Sequence, residues 1–151
     1  MKIICHRANL YGPSKDLENK PEQILDCIKL GFDVEIDVWN IDNEFYLGHD
    51  GPQYKVDYNF LKNKNLWCHA KNYEALKSMI HDNNINCFWH QNDDYTLTSK
   101  NFMWCYPNIR LINNAIAVMP ETTDYSIEDL KKCYAICTDY PFRYKDILDE
   151  K

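Results

Sequence analysis

Short apolar runs separated by polar stretches recur along the whole chain. Residues 2–5 (KIIC), 32–39 (FDVEIDVW), 66–70 (LWCHA), 87–90 (CFWH), 102–106 (FMWCY), 115–119 (AIAVM) and 134–138 (YAICT) each have strand length and composition. The run 109–113 (IRLIN) is a candidate eighth strand. Between them lie segments with helical spacing. In 21–31, Pro21 opens a helix, Ile24, Leu25 and Ile28 share a face, and Gly31 stops it. In 72–84, Asn72 is the N-cap and Leu76, Met79 and Ile80 form the stripe. In 126–133, Ser126 with Asp129 resembles a capping box. Residues 40–57 read as a hairpin insertion after the second strand. Strands alternating with helices predict βαβ units and a mainly parallel sheet.

At 151 residues the chain has room for one domain with a real core, and 1–151 is read as a single domain. A (β/α)8 barrel usually takes ~250 residues, so length alone favours an open, doubly wound sheet. The net charge of −6 speaks against nucleic acid as a partner and against an electrostatic anchor on anionic lipid. Only 4 glycines are present, and no Gly-rich phosphate loop among them. The 7 cysteines form no C-x-x-C pair and fall mostly within apolar runs, as buried free thiols of a reducing compartment do. The first residues show no signal-peptide pattern, and no apolar run approaches the ~20 residues that span a bilayer. A cytoplasmic protein is expected.

Within 32–39, Glu35 and Asp37 interrupt Val, Ile and Trp. Strand alternation puts Val34, Ile36 and Val38 on one face and both acids on the other. Two buried carboxylates this close repel each other and lose hydration. A bound cation would relieve both costs; the other reading is a half-exposed strand with its acids in water. If repulsion dominates, replacing either acid by its amide leaves the fold intact or slightly more stable. Four of the 5 histidines (His6, His49, His69, His90) fall at or beyond the ends of strand-like runs, where parallel α/β folds build their sites. With Arg7, Lys71 and the two acids, they form a set suited to a divalent cation, phosphate oxygens and proton transfer.

In chain order the motifs are His6-Arg7, Glu18-Asn19, Glu35-Ile36-Asp37, His49-Asp50, His69-Ala70-Lys71 and Thr138-Asp139-Tyr140-Pro141. This series resembles the glycerophosphodiester phosphodiesterase family, within the phosphatidylinositol-specific phospholipase C-like superfamily, over residues 4–141. Ala8 stands where that family has Gly, and His69 where it has Glu. The resemblance implies a compact, shortened (β/α)8 TIM-type barrel with a small hairpin insertion after the second strand. It implies a hydrolase acting on a small phosphodiester with a divalent metal, Mg²⁺ or Ca²⁺, held by Glu35, Asp37 and His69. His6 and His49 would be acid and base in an unassigned order, and Arg7 and Lys71 would bind the substrate phosphate. Glu18, Trp89, Trp104 and Tyr106 are further candidates for the cleft. The attacking group is a neighbouring substrate hydroxyl or water. The imidazole at position 69 leaves a less negative site, which suits a metal that accepts nitrogen. It also keeps open a non-catalytic phosphate-ligand binding module on the same barrel.

Overall fold

The computed structural model describes residues 1–149. In chain order it contains β1 (Lys2–Cys5), α1 (Pro21–Lys29), β2 (Asp33–Ile41), β3 (Glu44–Leu47), β4 (Tyr54–Val56), β5 (Leu66–Ala70) and α2 (Tyr73–Met79). There follow β6 (Cys87–Phe88), β7 (Tyr95–Leu97), β8 (Met103–Cys105), β9 (Ile116–Val118), α3 (Ile127–Leu130), β10 (Ala135–Thr138) and α4 (Pro141–Asp149). Parallel pairing runs in the order β8-β9-β10-β1-β2-β5-β6. The β3–β4 hairpin lies antiparallel on the far end of β2, and β7 lies antiparallel on β8. The fold is therefore mixed α/β around a mostly parallel sheet. No helix among the described residues is long and apolar enough to cross a membrane.

All seven apolar runs read as strands contain one. The run 109–113 does not: β8 pairs directly with β9 (Trp104 opposite Ile116), so no free sheet edge is left there for it. The additional strand is instead Tyr95–Leu97, whose brevity and polar neighbours hide it. Helix α1 ends just before Gly31 as expected, whereas α2 stops at Met79, short of the expected 84; Leu25 and Ile80 point to solvent at 42% and 40% exposure. Asn72 and Ser126 do cap α2 and α3, accepting from the amides of Ala75 and Asp129.

Alternation sorts the sheet into two faces. Cys5, Val34, Ile36, Val38, Cys68 and Cys87 face the helices and pack with Ile24, Cys27, Ala75 and Met79. On the opposite face Ile4, Trp67, Phe88, Trp104, Ile116, Val118, Ala135 and Cys137 form one cluster. A large apolar side chain buried this way contributes about 1.5–3 kcal/mol. That cluster draws on β1, β5, β6, β8, β9 and β10. On the same face β2 carries Asp33, Glu35 and Asp37, followed by Trp39 and Ile41. The sheet curves enough to bring its two sides together: the Phe88 and Trp104 rings lie 4.5 Å apart, and the Ser99 amide donates to the Cys87 carbonyl at 2.7 Å. Among the described residues no strand ladder joins β6 to β8.

The three acids of β2 are handled differently. Asp33, at the amino end, accepts from Lys2 Nζ at 2.8 Å, Asn65 Nδ2 at 2.8 Å and Trp67 Nε1 at 3.1 Å. It is fully satisfied and structural. Glu35 and Asp37, only 2% and 1% exposed, rule out the half-exposed strand.

Candidate active site

Four of the strands that supply the interior cluster, β1, β5, β6 and β10, carry or lead into a polar residue at the carboxyl end. Ile4 is followed on the same face by His6, Trp67 by His69 and Lys71, and Phe88 by His90. These groups open onto a cavity of about 400 Å³ lined by His6, Arg7, Glu35, Asp37, His49, His69 and Lys71. Its other wall is His90, Gln91, Trp104, Tyr106, Pro107, Val118 and Met119. A larger cavity of about 530 Å³, between Lys2, Phe32, Lys131 and Lys145, lies at the amino ends of the strands and brings no comparable set of groups together. All seven residues given catalytic, metal or phosphate roles by the resemblance thus share one cavity, joined by Trp104 and Tyr106. Glu18 reaches it only through Arg7, at 3.4 Å. Trp89 does not belong there: with Phe88 and His90 inward, alternation turns it outward, onto the helix-side core.

Local backbone geometry sets two of these groups. After β1 the chain turns through Arg7 and Ala8, both left-handed at φ 50° and 66°, closed by a bond from the Asn9 amide to the His6 carbonyl. The turn aims the Arg7 amide at Glu35 Oε2, 3.1 Å away. His49 follows Gly48, where a Cβ would stand 2.1 Å from the Gly51 carbonyl. Only glycine fits that close approach.

Asp37 is the hub. Its Oδ2 lies 3.0 Å from Asn19 Nδ2, 3.2 Å from His49 Nδ1 and 3.5 Å from Arg7 Nε. Its Oδ1 faces His69 Nδ1 at 3.3 Å and Lys71 Nζ at 3.5 Å. Asn19 also accepts from the Asp37 amide at 2.8 Å, locking strand and side chain together. Burial pushes the Asp37 carboxyl up, but bonds to His49 and His69 and nearby positive charge outweigh it and hold it well below the usual range. The two acids are thus neutralised by cationic neighbours rather than left to repel each other.

The hydrogen-bond partners fix the histidine tautomers. The His90 carbonyl can only accept, so His69 donates to it from Nε2 at 2.9 Å and turns Nδ1 towards Glu35 and Asp37. Burial lowers the His69 pKa, and its bonds to the two carboxylates more than reverse this, raising it to about 9. Arg7 can only donate, so His49 Nε2 presents a lone pair to Arg7 Nη2 at 3.1 Å, with its proton on Nδ1 towards Asp37. His6 donates from Nδ1 to Asp139 Oδ1 at 2.8 Å. Burial opposes the charge on His6, but Asp139 and Glu35 raise its pKa overall.

Glu35, Asp37 and His69 each offer a ligand atom, all within 4.8 Å of one another. Asp37 Oδ1 is buried within ion-pair distance of His69 Nδ1 and Lys71 Nζ, yet makes no well-aligned hydrogen bond among the described residues. Two carboxylate oxygens and one imidazole nitrogen, with an acceptor unsatisfied, fit a divalent cation.

The sequence places His90 in the strand-end set without a role, and it does not reveal Asn9, Glu121 or the role of Asp139. Asp139 was visible in the Thr-Asp-x-Pro motif, and His90 at a strand end. Glu121 accepts from Thr138 Oγ1 at 2.9 Å and from the Asp139 amide at 2.8 Å; nothing in the local sequence marks it. No protein-family model matches this chain, and no curated protein or solved structure matches it either. The chemistry of the site is therefore read from its own geometry.

Proposed function

We propose that the chain is a divalent-metal-dependent phosphodiesterase cleaving a small phosphodiester, on a shortened (β/α)8-type barrel of the glycerophosphodiester phosphodiesterase kind. The barrel reading is supported by the single interior cluster drawn from six strands and by the close approach of β6 and β8. One observation carries the activity. Two histidines in complementary hydrogen-bonding states face the cavity that holds the carboxylate–imidazole cluster and two strong cations.

His49, with a lone pair on Nε2, is the base: it takes the proton of the attacking hydroxyl, whether a substrate hydroxyl or water. His6, favoured in its protonated form by Asp139, is the acid: it delivers a proton from Nε2 to the leaving oxygen as the P–O bond breaks. Arg7 moves its guanidinium from His49 to the phosphoryl oxygens, freeing the base as it neutralises the substrate, and Lys71 adds a second positive charge. A cation held by Glu35, Asp37 and His69 would supply Lewis-acid polarisation of the phosphoryl group. The imidazole among the donors widens the choice from Mg²⁺ or Ca²⁺ towards metals that accept nitrogen. Seven free, buried cysteines suit a reducing compartment, and the cytoplasm is the proposed location.

The second reading, a phosphate-ligand binding module without turnover, is favoured by His69. An imidazole held protonated against two carboxylates competes with any metal for them. Turnover of a phosphodiester panel with Mg²⁺, Ca²⁺ or Mn²⁺, and with chelator, separates the two. Metal-dependent release of a phosphomonoester or cyclic phosphate supports the enzyme, and tight phosphate binding without any product supports the module.

A further inference from the structure

Asn9 is only 2% exposed, and its side chain spends every hydrogen-bonding group it has. One hydrogen of Nδ2 goes to Asp139 Oδ1 at 2.8 Å and the other to Glu18 Oε1 at 3.1 Å. Its Oδ1 accepts from the Ser14 amide at 3.2 Å. The reverse amide orientation is excluded, because it would set an oxygen against two carboxylates and a nitrogen against an N–H donor.

The two carboxylates so held serve different partners. Asp139 Oδ1 accepts from His6, and Glu18 Oε2 accepts from Arg7 Nη1 at 3.4 Å. Among the described residues the Asp139 side chain has His6 and Asn9 as its hydrogen-bond partners. Without Asn9, the carboxylate that orients His6 would keep His6 as its remaining side-chain partner there. Among the same residues the Glu18 side chain is bound by Arg7 and Asn9.

We propose that Asn9 is a positioning residue that couples the two working halves of the site, holding the carboxylate beneath His6 and the carboxylate beneath Arg7 through one amide nitrogen. This rests on the proposed function for what the two halves do, not for the geometry. A pair of carboxylates that would drift apart by mutual repulsion is instead bridged by a neutral double donor. His6 and Arg7 are thereby kept in a fixed relation on either side of the turn at Arg7 and Ala8. Such a partner, one bond removed from the working group, typically matters by about 10–100-fold in affinity or activity.

Two measurements on Asn9→Ala test this without turnover: an NMR titration of the His6 ring, and calorimetry of inorganic phosphate at fixed Mg²⁺. The His6 midpoint is expected to fall towards that of an ordinary imidazole, and phosphate affinity to fall about tenfold. A merely structural asparagine would lower the melting temperature and leave both readings at parental values, which overturns the proposal. A change in only one of them overturns the coupling. Should the alanine variant not fold, Asn9→Ser takes its place. Its single O–H can hold one carboxylate at most, so at least one reading must shift, and parental values for both overturn the proposal. A parent that binds no phosphate and cleaves no diester sinks the proposed function, while the His6 titration still decides whether Asn9 holds Asp139.

Discussion

Strands β1, β2 and β5 are 4, 9 and 5 residues long, and helices of 9 and 7 residues cover them. Strands β6 to β9 have only 2 or 3 residues each, and no α-helix lies between β6 and β9. The first region carries His6, Arg7, Glu35, Asp37, His49, His69 and Lys71; the second lines the cavity with Trp104, Tyr106, Pro107, Val118 and Met119 beside His90 and Gln91. The difference follows from what each must bury. An apolar wall needs one or two inward side chains per strand, and packing tolerates short ladders. A carboxylate buried beside a second one needs several donors, each held to within tenths of an ångström. Long strands, an Asn19 clamp and two well-formed helices provide that. The strands are short where only hydrophobic packing is required.

Charge in the first region should therefore be the costliest thing to disturb. Asp37→Asn leaves Arg7, His69 and Lys71 short of their shared counter-charge, and a loss of about 3–5 kcal/mol is expected in urea unfolding. This reverses the expectation from sequence that removing one of two repelling acids would be neutral or stabilising. The comparison in the second region is Thr98→Val, which removes a buried hydroxyl accepting from the amides of Lys100 and Phe102 and should cost about 1 kcal/mol. Equal losses in the two variants would erase the contrast.

A smaller effect sharpens the account of the metal ligands. His69→Glu should tighten Mg²⁺ by about tenfold in calorimetry, since a hard cation prefers carboxylate oxygen to imidazole nitrogen. Unchanged or weaker Mg²⁺ binding would remove position 69 from the ligand set.

The smallest effect concerns the bond that ties β10 to the first region. Burial disfavours charge on His6, but Asp139 raises its pKa in the folded state, and Asp139 is itself lowered, its own burial being outweighed by His6. A raised histidine contributes stability fully below its unfolded pKa, near 6.5, and loses it as pH rises through the folded value. A lowered Asp contributes above about 3.9 and loses its share as pH falls through the folded value. The parent should lose more stability than Asp139→Asn when pH is raised from 6 to 9. Parallel curves for the two proteins would mean that the pair adds nothing to the fold.

Much of this arrangement was legible from periodicity. The seven apolar runs became strands because short, bounded, β-branched and aromatic segments have few other uses. Alternation pairs Glu35 with Asp37 and His69 with Lys71, each on one face of its own strand; the β2–β5 register that brings the two pairs together is read only in the fold. Alternation equally puts Trp89 outside, yet its aromatic bulk suggested the cleft. Tyr95–Leu97 escaped because a strand of 3 residues among polar neighbours, pairing with β8 at the sheet's margin, is too short to show a period. Asn9 and Glu121 escaped for another reason. Asn9 bonds the Asp139 side chain 130 residues away, Glu121 bonds Thr138 and the Asp139 amide 17 and 18 residues on, and no local pattern records such partners. His49 could be placed near the site by its motif, but its tautomer depends on Arg7 and becomes readable only in three dimensions.

The most direct test of a two-histidine phosphodiesterase centre is a phosphorus NMR time course of a glycerophosphodiester with the parent, His6→Ala and His49→Ala in the presence of a divalent metal. The parent should convert the diester signal to a monoester or cyclic phosphate, and chelator should stop it. Each alanine variant should be slower by about 10²–10⁴ while retaining most of its phosphate affinity. A parent that leaves the diester intact with every metal, or variants that cleave it as fast as the parent, would contradict the account.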